Sequence, residues 1–255
     1  MTWALPGGLD PKQAVALSLG LQTAADALLN VLGFVFEPAK IQGVSAKDTP
    51  ILIWGGASNV GLCAIQIAKM AGFDPIFTTS SVKHHDTLHR LGVTECFDYH
   101  DVDVVDRIRN AVNNSGKQLS TVFDTVVGGL TVFDPPPSKP LDPAKSTISL
   151  ARKCLSDVPE QDLRLCAVVP IAHDPTWRLC IGTRLEGPDT FGMPQDPRWP
   201  GVVESFMQWF LTNPKAFRHP KVTVVTGIDE GMRQVQRSFD GGMSLEKVII
   251  AHPFT

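Results

Sequence analysis

The sequence predicts an α/β fold, a doubly wound parallel sheet with helices on both faces. Three observations carry that prediction. Short apolar runs alternate with helical patterns from Ile51 to Val127, the spacing of strands joined by crossover helices. The first run, Ile51-Leu-Ile-Trp54, stops at Gly55-Gly56, and Ala57-Ser58-Asn59-Val60-Gly61 leads from there into an unbroken helical stretch ending at Ala71. Thr121–Val127 is β-branched or apolar except for Asp124, the composition of a strand buried on both faces.

The elements follow in order. Asp10-Pro11-Lys12-Gln13 reads as a helix start, with Asp as N-cap, Pro at the first position and Gln closing a capping box. The helix runs through Ala14–Leu29, with a bend expected near Gly20, and Gly33 or Pro38 ends it. Gln22, Asp26 and Asn30 interrupt the apolar stretch, so it reads as an amphipathic helix rather than a membrane span. Ile51–Trp54 is a strand, Asn59–Ala71 a helix, Pro75–Thr79 a strand, Lys83–Leu91 a helix stopped by Gly92, and Thr94–Phe97 a strand. Val102–Val112 is helical and Thr121–Val127 is the fourth strand. From Gly128 to Pro143 the chain is loop-like, with Pro135-Pro136-Pro137 forcing extension. Ala144–Leu155 reads as a helix, Arg164–Val169 as a strand and Trp177–Ile181 as an edge strand in an irregular region rich in Pro and Gly. Val202–Leu211 is a helix, Val222–Thr226 a strand, Asp229–Phe239 a helix and Lys247–Ala251 a last strand.

The glycine turn is the chemical centre. Its spacing is G-x-x-G-x-x-G with Ser58 in the middle place, and a strict G-x-G-x-x-G is absent. Glycines let backbone approach a pyrophosphate, and the following helix N-terminus offers N–H groups to its charge. This is the opening of a dinucleotide-binding Rossmann unit. Enzymes using NAD place a carboxylate at the end of the second strand to bind the ribose hydroxyls. Here Thr79-Ser80-Ser81-Val82-Lys83-His84-His85 stands there, with no carboxylate until Asp86. Hydroxyls and a cation suit a 2′-phosphate, with Ser81 donating and Lys83 supplying charge. The cofactor expected is therefore NADPH. Ser80 and Ser81 equally read as caps for the helix that follows. Tyr99, the sole tyrosine, ends the third strand, where its ring either flanks the adenosine or is a half-buried aromatic.

Composition narrows the rest. The net charge is -3 and there is no basic run, so nucleic acid is an unfavoured partner. The five cysteines, Cys63, Cys96, Cys154, Cys166 and Cys180, lie far apart, which suits buried thiols in a reducing compartment rather than disulfides or a zinc site. No signal peptide is evident, and a cytoplasmic location is expected. No membrane association and no metal are expected.

Ile-Leu-Ile-Trp-Gly-Gly-Ala-Ser-Asn-Val-Gly, Ser81-Val82-Lys83-His84 and Phe97-Asp98-Tyr99 together resemble the zinc-independent medium-chain dehydrogenase/reductases. They are most similar to fungal trans-acting enoyl reductases, the partners of polyketide synthases. Asp189-Thr-Phe-Gly192 with Trp199-Pro200, and the tail from Val222 to Ile250, extend the resemblance over nearly the whole chain. The resemblance implies that Gly56, Ala57, Ser58, Asn59, Val60 and Gly61 hold the phosphates, with Ser81, Lys83 and His84 at the 2′-phosphate and Tyr99 beside the adenosine. It implies Gly128-Gly129, Val168 and Val169 towards the nicotinamide, Lys247 and Val248 returning near the cofactor, and Asp189, Thr190, Phe191, Gly192 and Met193 along the substrate cleft.

The family begins with a GroES-like β-rich domain, which this chain, starting near the connection into the cofactor domain, is expected to lack. The expected organisation is a linking helix over 1–40, an NADP-binding domain over 41–215 and, over 216–255, the return segment of a truncated catalytic domain. The implied reaction is hydride transfer from NADPH to the β-carbon of an α,β-unsaturated thioester, in fungal polyketide or secondary-metabolite biosynthesis. The substrate would be a small molecule or carrier-bound enoyl group, with a polyketide synthase as partner. No general acid stands out among His84, His85, His100 and His173. A Tyr-x-x-x-Lys pair is excluded, because Asp103 lies four positions after Tyr99. The alternatives are a non-catalytic NADPH-binding remnant or scaffold, and a fragment that associates into oligomers through exposed sheet edges.

Overall fold

The computed structural model describes residues 4–5, 7, 9–128, 143–171 and 173–251. Helix α1 (Pro11–Ala25) starts as the sequence requires, with Asp10 Oδ1 accepting the Lys12 N–H at 3.0 Å. It runs on as a π-helical stretch over Asp26–Val31. The irregularity falls there rather than at Gly20. At Gly20 a Cβ would lie 2.6 Å from Asn59 Nδ2, so the missing side chain serves close packing on the next helix. The amphipathic expectation holds only for the first half, where Val15 and Leu19 are exposed, since Thr23–Leu32 is buried all round. Pro11–Val31 is long and apolar enough to cross a membrane, but 78% of the qualifying stretch is buried inside the fold, as in a core helix.

There follow β1 (Ile51–Trp54), α2 (Asn59–Ala71), β2 (Ile76–Thr79), α3 (His85–Arg90), β3 (Glu95–Phe97), α4 (Val104–Asn114) and β4 (Thr121–Asp124). A single 3-10 turn, Val82–His84, precedes α3, so the helix expected from Lys83 starts later. Beyond the undescribed stretch that contains Gly129 and the three prolines come α5 (Thr147–Lys153), β5 (Arg164–Ala167) and β6 (Trp177–Leu179). The six strands are all parallel, in the order β3-β2-β1-β4-β5-β6, and β6 is an edge as expected.

Successive strand residues point to opposite faces, which divides the core. Ile51 and Ile53 of β1 join α1 and α2 in one apolar cluster, while Leu52 and Trp54 join α4 and α5 in the other. The short hairpin β7 (Asp189–Thr190) and β8 (Met193–Pro194) leads to α6 (Trp199–Thr212), which packs on the first cluster through Val203, Phe206 and Phe210. The irregular segment before it is fixed by a buried ion pair. Arg184 Nε and Nη2 donate to the two oxygens of Asp26 at 2.8 and 2.6 Å, and the guanidinium stacks 4.5 Å from the Trp199 ring.

The chain closes with β9 (Lys221–Val225), α7 (Ile228–Phe239) and β10 (Glu246–Ile250), a separate parallel pair with its crossover helix. Two anchors hold this unit to the first. Gln66 of α2 accepts the Arg218 N–H at 2.7 Å and donates to the Arg218 carbonyl at 3.2 Å. The Leu245 N–H donates to the Ala57 carbonyl in the glycine turn at 3.1 Å.

Candidate cofactor groove

The strand order reverses between β1 and β4, and open parallel sheets bind ligands outside the carboxyl ends of the strands at such a point. A groove of about 320 Å³ lies there, lined at its base by Trp54, Gly55 and Ser58 and on its flanks by Ser81, Tyr99 and Val126. The glycine turn forms its floor. A Cβ on Gly55 would meet Val126 Cγ2 at 2.2 Å, one on Gly56 would meet Thr78 Oγ1 at 2.3 Å, and one on Gly61 would meet the Gly55 carbonyl at 2.3 Å. Gly61 thus sits where the first turn of α2 presses on the turn.

Hydrogen bonds fix this turn before any ligand arrives. Gly55 N–H donates to Thr79 Oγ1 at 3.0 Å and Gly56 N–H to the Thr79 carbonyl at 2.9 Å. Thr125 Oγ1 donates to the Trp54 carbonyl at 2.8 Å and lies 2.9 Å from Ser58 Oγ. Ser58 Oγ also accepts the Gly61 N–H at 2.9 Å, capping α2. The Ser58 hydroxyl and amide are therefore committed to the fold, and so are the amides of Gly56 and Gly61. The amides of Ala57, Asn59 and Val60 donate to no described protein acceptor. Three free N–H groups at a helix N-terminus, within a turn that only glycine can close, fit a dinucleotide pyrophosphate. The side chains of Asn59 and Val60 turn the other way, towards Gly20 and into the core.

At the far end of the groove, Ser81 Oγ and Tyr99 OH lie 3.3 Å apart, side by side at the ends of β2 and β3. Tyr99 is 47% exposed, so its ring is available to a ligand. Lys83 and His84 follow directly but line the neighbouring cavity rather than this groove. Burial and the Lys83 charge push the His84 imidazole below the usual histidine range.

After β4 the chain turns sharply. Asp124 Oδ1 accepts the N–H groups of Val126 and Val127, both at 2.9 Å, and holds Val127 at φ +47°. Such a φ on a β-branched residue is strained backbone beside a candidate site. Burial raises the Asp124 carboxyl above the usual range, and its Oδ2 is sealed from solvent without a partner. Gly128 N–H donates to Thr147 Oγ1 at 3.0 Å and Thr147 N–H to the Gly128 carbonyl at 3.1 Å, which brings Thr147 to the groove. Gly129 lies outside the described residues.

Other sequence-derived residues fall elsewhere. Val168 and Val169 are half-buried and pack on the α4–α5 face, and neither lines the groove. Lys247 and Val248 stand in β10 beyond the groove, and the Lys247 charge acts on Cys63 of α2. The C-terminal contribution comes three to four residues earlier, from Met243 and Ser244. The residues 189–193 do not line the groove either. Thr190 is buried against Gln195 at 2.8 Å, Asp189 accepts the Gly192 N–H at 3.2 Å, and Phe191 projects into solvent. Sequence reasoning missed Thr79, Thr125 and Thr147, whose hydroxyls fasten the turns. The signal available was a threonine at the carboxyl end of each flanking strand and a serine cap before Thr147.

A family model described as zinc-binding dehydrogenase matches residues 59–132, the α2-to-β4 portion of this sheet. An uncharacterized protein of Saccharomyces cerevisiae, YNL134C, is 32% identical over 205 residues, 79% of this chain and 51% of that protein. The trans-enoyl reductase tazE of Aspergillus terreus is 31% identical over 190 residues, 74% of this chain and 54% of that enzyme. The chain is a relative of the medium-chain dehydrogenase/reductases. Among solved structures, the CurK enoyl reductase superposes with a TM-score of 0.59 at 19% identity, covering 98% of this chain and 65% of the other. An NAD-dependent alcohol dehydrogenase superposes at 0.63 with 17% identity, covering 97% and 61%. These two likenesses show a shared Rossmann-like α/β fold. The chain spans about half the length of the first two curated relatives it matches. Among the described residues no three His, Cys, Asp or Glu side chains are grouped to hold a metal ion.

Proposed function

We propose that this chain binds NADPH and serves an enoyl reductase-type oxidoreductase reaction on an α,β-unsaturated thioester. The observation that carries the cofactor reading is the Ser81–Tyr99 hydroxyl pair at 3.3 Å, at the strand ends where an NAD enzyme would keep a carboxylate. The amides of Ala57, Asn59 and Val60 hold the pyrophosphate. Ser81 and Tyr99 donate to the 2′-phosphate, while Lys83, two residues on, faces the neighbouring cavity. When bound, the nicotinamide supplies the hydride. The chain's own part is to orient that ring beside Val126 and Thr147 and to shield it from water. The enoyl reading rests on kinship with the trans-enoyl reductases. A polyketide-synthase partner and a role in secondary metabolism are extensions of it.

A second reading, NADPH binding without turnover, is favoured by one observation. Among the described residues, those lining the groove include no carboxylate, histidine or lysine to act as general acid. NADPH and NADH titrations followed by nicotinamide fluorescence test the cofactor. Oxidation of NADPH at 340 nm with a crotonyl thioester tests the reaction. Binding with turnover supports the enzyme, binding without it the second reading. Failure to bind either cofactor removes both.

A further inference from the structure

Next to the cofactor groove lies a second cavity, of about 580 Å³, which the dinucleotide reading leaves unused. One wall is the 3-10 turn and α3, bringing Lys83 and Arg90. The other is the entry to β9 and the end of α7, bringing Arg218, Lys221 and Arg237. These five cations face one lining carboxylate, Glu246, in a protein whose net charge is -3. Glu246 is already engaged by Arg237 at 2.7 Å, Lys221 at 3.5 Å and the Thr223 hydroxyl at 2.7 Å. Lys83, Arg90 and Arg218 have no acidic partner among the described residues.

Two histidines, His84 and His219, line the same cavity beside these cations. The geometry points to a second ligand site, distinct from the dinucleotide groove, that takes a small phosphate-type polyanion between Arg90 and Arg218. Guanidinium groups from opposite walls suit the several acceptor oxygens of such an anion. The volume is that of a small-molecule site. Ser244 lines both cavities, so the two ligands would be neighbours across the loop that anchors the C-terminal unit.

The test uses inorganic pyrophosphate as probe, titrated calorimetrically into the full chain at low ionic strength. The wild type should bind it, and Arg90→Ala with Arg218→Ala, both exposed positions, should weaken binding at least tenfold. Ala57→Asp places a carboxylate at the glycine turn and repels phosphate there, so it separates the two sites. It should leave pyrophosphate binding within twofold, with circular dichroism confirming the fold. Loss of binding in Ala57→Asp, or unchanged binding in the double arginine variant, would place the anion at the glycine turn and overturn the proposal. No binding to the wild type overturns it as well. None of these outcomes depends on whether NADPH binds.

Discussion

The parallel strand–helix–strand unit recurs along the chain, and two of its copies behave in opposite ways. In β1–α2–β2 every strand residue is buried, and α2 buries a continuous run from Gly61 to Ala68. In β9–α7–β10 no strand residue is fully buried, and α7 buries only Gly231, which lets the helix sit close to Ile250. Ile228, Met232, Val235 and Phe239 of α7, at the spacing of one helical face, are all exposed. Both units are parallel strand–helix–strand. The difference lies in what surrounds them: the first is enclosed by helices on two faces of a six-stranded sheet, the second stands as a two-stranded pair. Topology alone therefore does not make a core, and the ligand groove is assembled on the enclosed copy. The open copy adds only a rim, through Met243, Ser244 and the Leu245 N–H.

The largest expected effects should break the enclosed region and spare the open one. Phe123→Ala removes a fully buried ring and should cost about 3–5 kcal/mol in urea melts, whereas Phe239→Ala, at 74% exposure, should stay within about 0.5 kcal/mol. Equal costs would remove the contrast. Arg184→Met should cost a comparable amount, about 3–5 kcal/mol, because it strands Asp26 without a counter-charge in the interior.

Gly61→Ala should have a smaller effect on stability and a larger one on binding. Its Cβ would lie 2.3 Å from the Gly55 carbonyl and 2.9 Å from Gly56 Cα, both backbone atoms with little room to yield. A loss of about 1–3 kcal/mol is expected, together with at least a tenfold drop in NADPH affinity. A variant that binds NADPH like the wild type would show that the turn is not the phosphate site.

Smaller still are the pH effects, and they run in opposite directions in the two regions. Asp124 is raised above its unfolded value by burial, so the protonated form favours folding. Its contribution is complete below the unfolded carboxyl range, about pH 4, and is lost as pH rises through the higher folded value. Asp124→Asn keeps an acceptor for Val126 and Val127 and should flatten that dependence. Glu246 is lowered by the Thr223 hydroxyl and then by Arg237 and Lys221. Its contribution is present above about pH 4.3 and disappears as pH falls through the folded value. The Glu246→Gln variant should lose this slope, read by proteolysis of the C-terminal unit against pH.

Much of the enclosed region was legible in the sequence, because glycine spacing and apolar runs report local constraints. Gly55, Gly56 and Gly61 each announce a close backbone approach, and Ile51–Trp54 announces a strand covered on both faces. The groove was readable to the extent that its parts are local: the α2 amides, and Ser81 and Tyr99 at strand ends. What was not legible depends on distant packing. Val168, Val169, Lys247 and Val248 were assigned through family likeness and do not line the groove, whereas Met243 and Ser244 do. Asn59 could not be divided into a useful amide and a packed side chain without seeing Gly20 across from it. The basic cavity joins Arg90 to Arg218, whose sequence separation leaves no pattern to read.

The most direct test of the account is a fluorescence titration of the full chain with NADPH and with NADH, repeated on Tyr99→Phe. The account predicts NADPH binding at least tenfold tighter than NADH, with that preference narrowed in Tyr99→Phe and NADH binding little changed. Equal affinity for the two cofactors, or an unaltered preference in the variant, would contradict the assignment of the Ser81–Tyr99 pair to the 2′-phosphate.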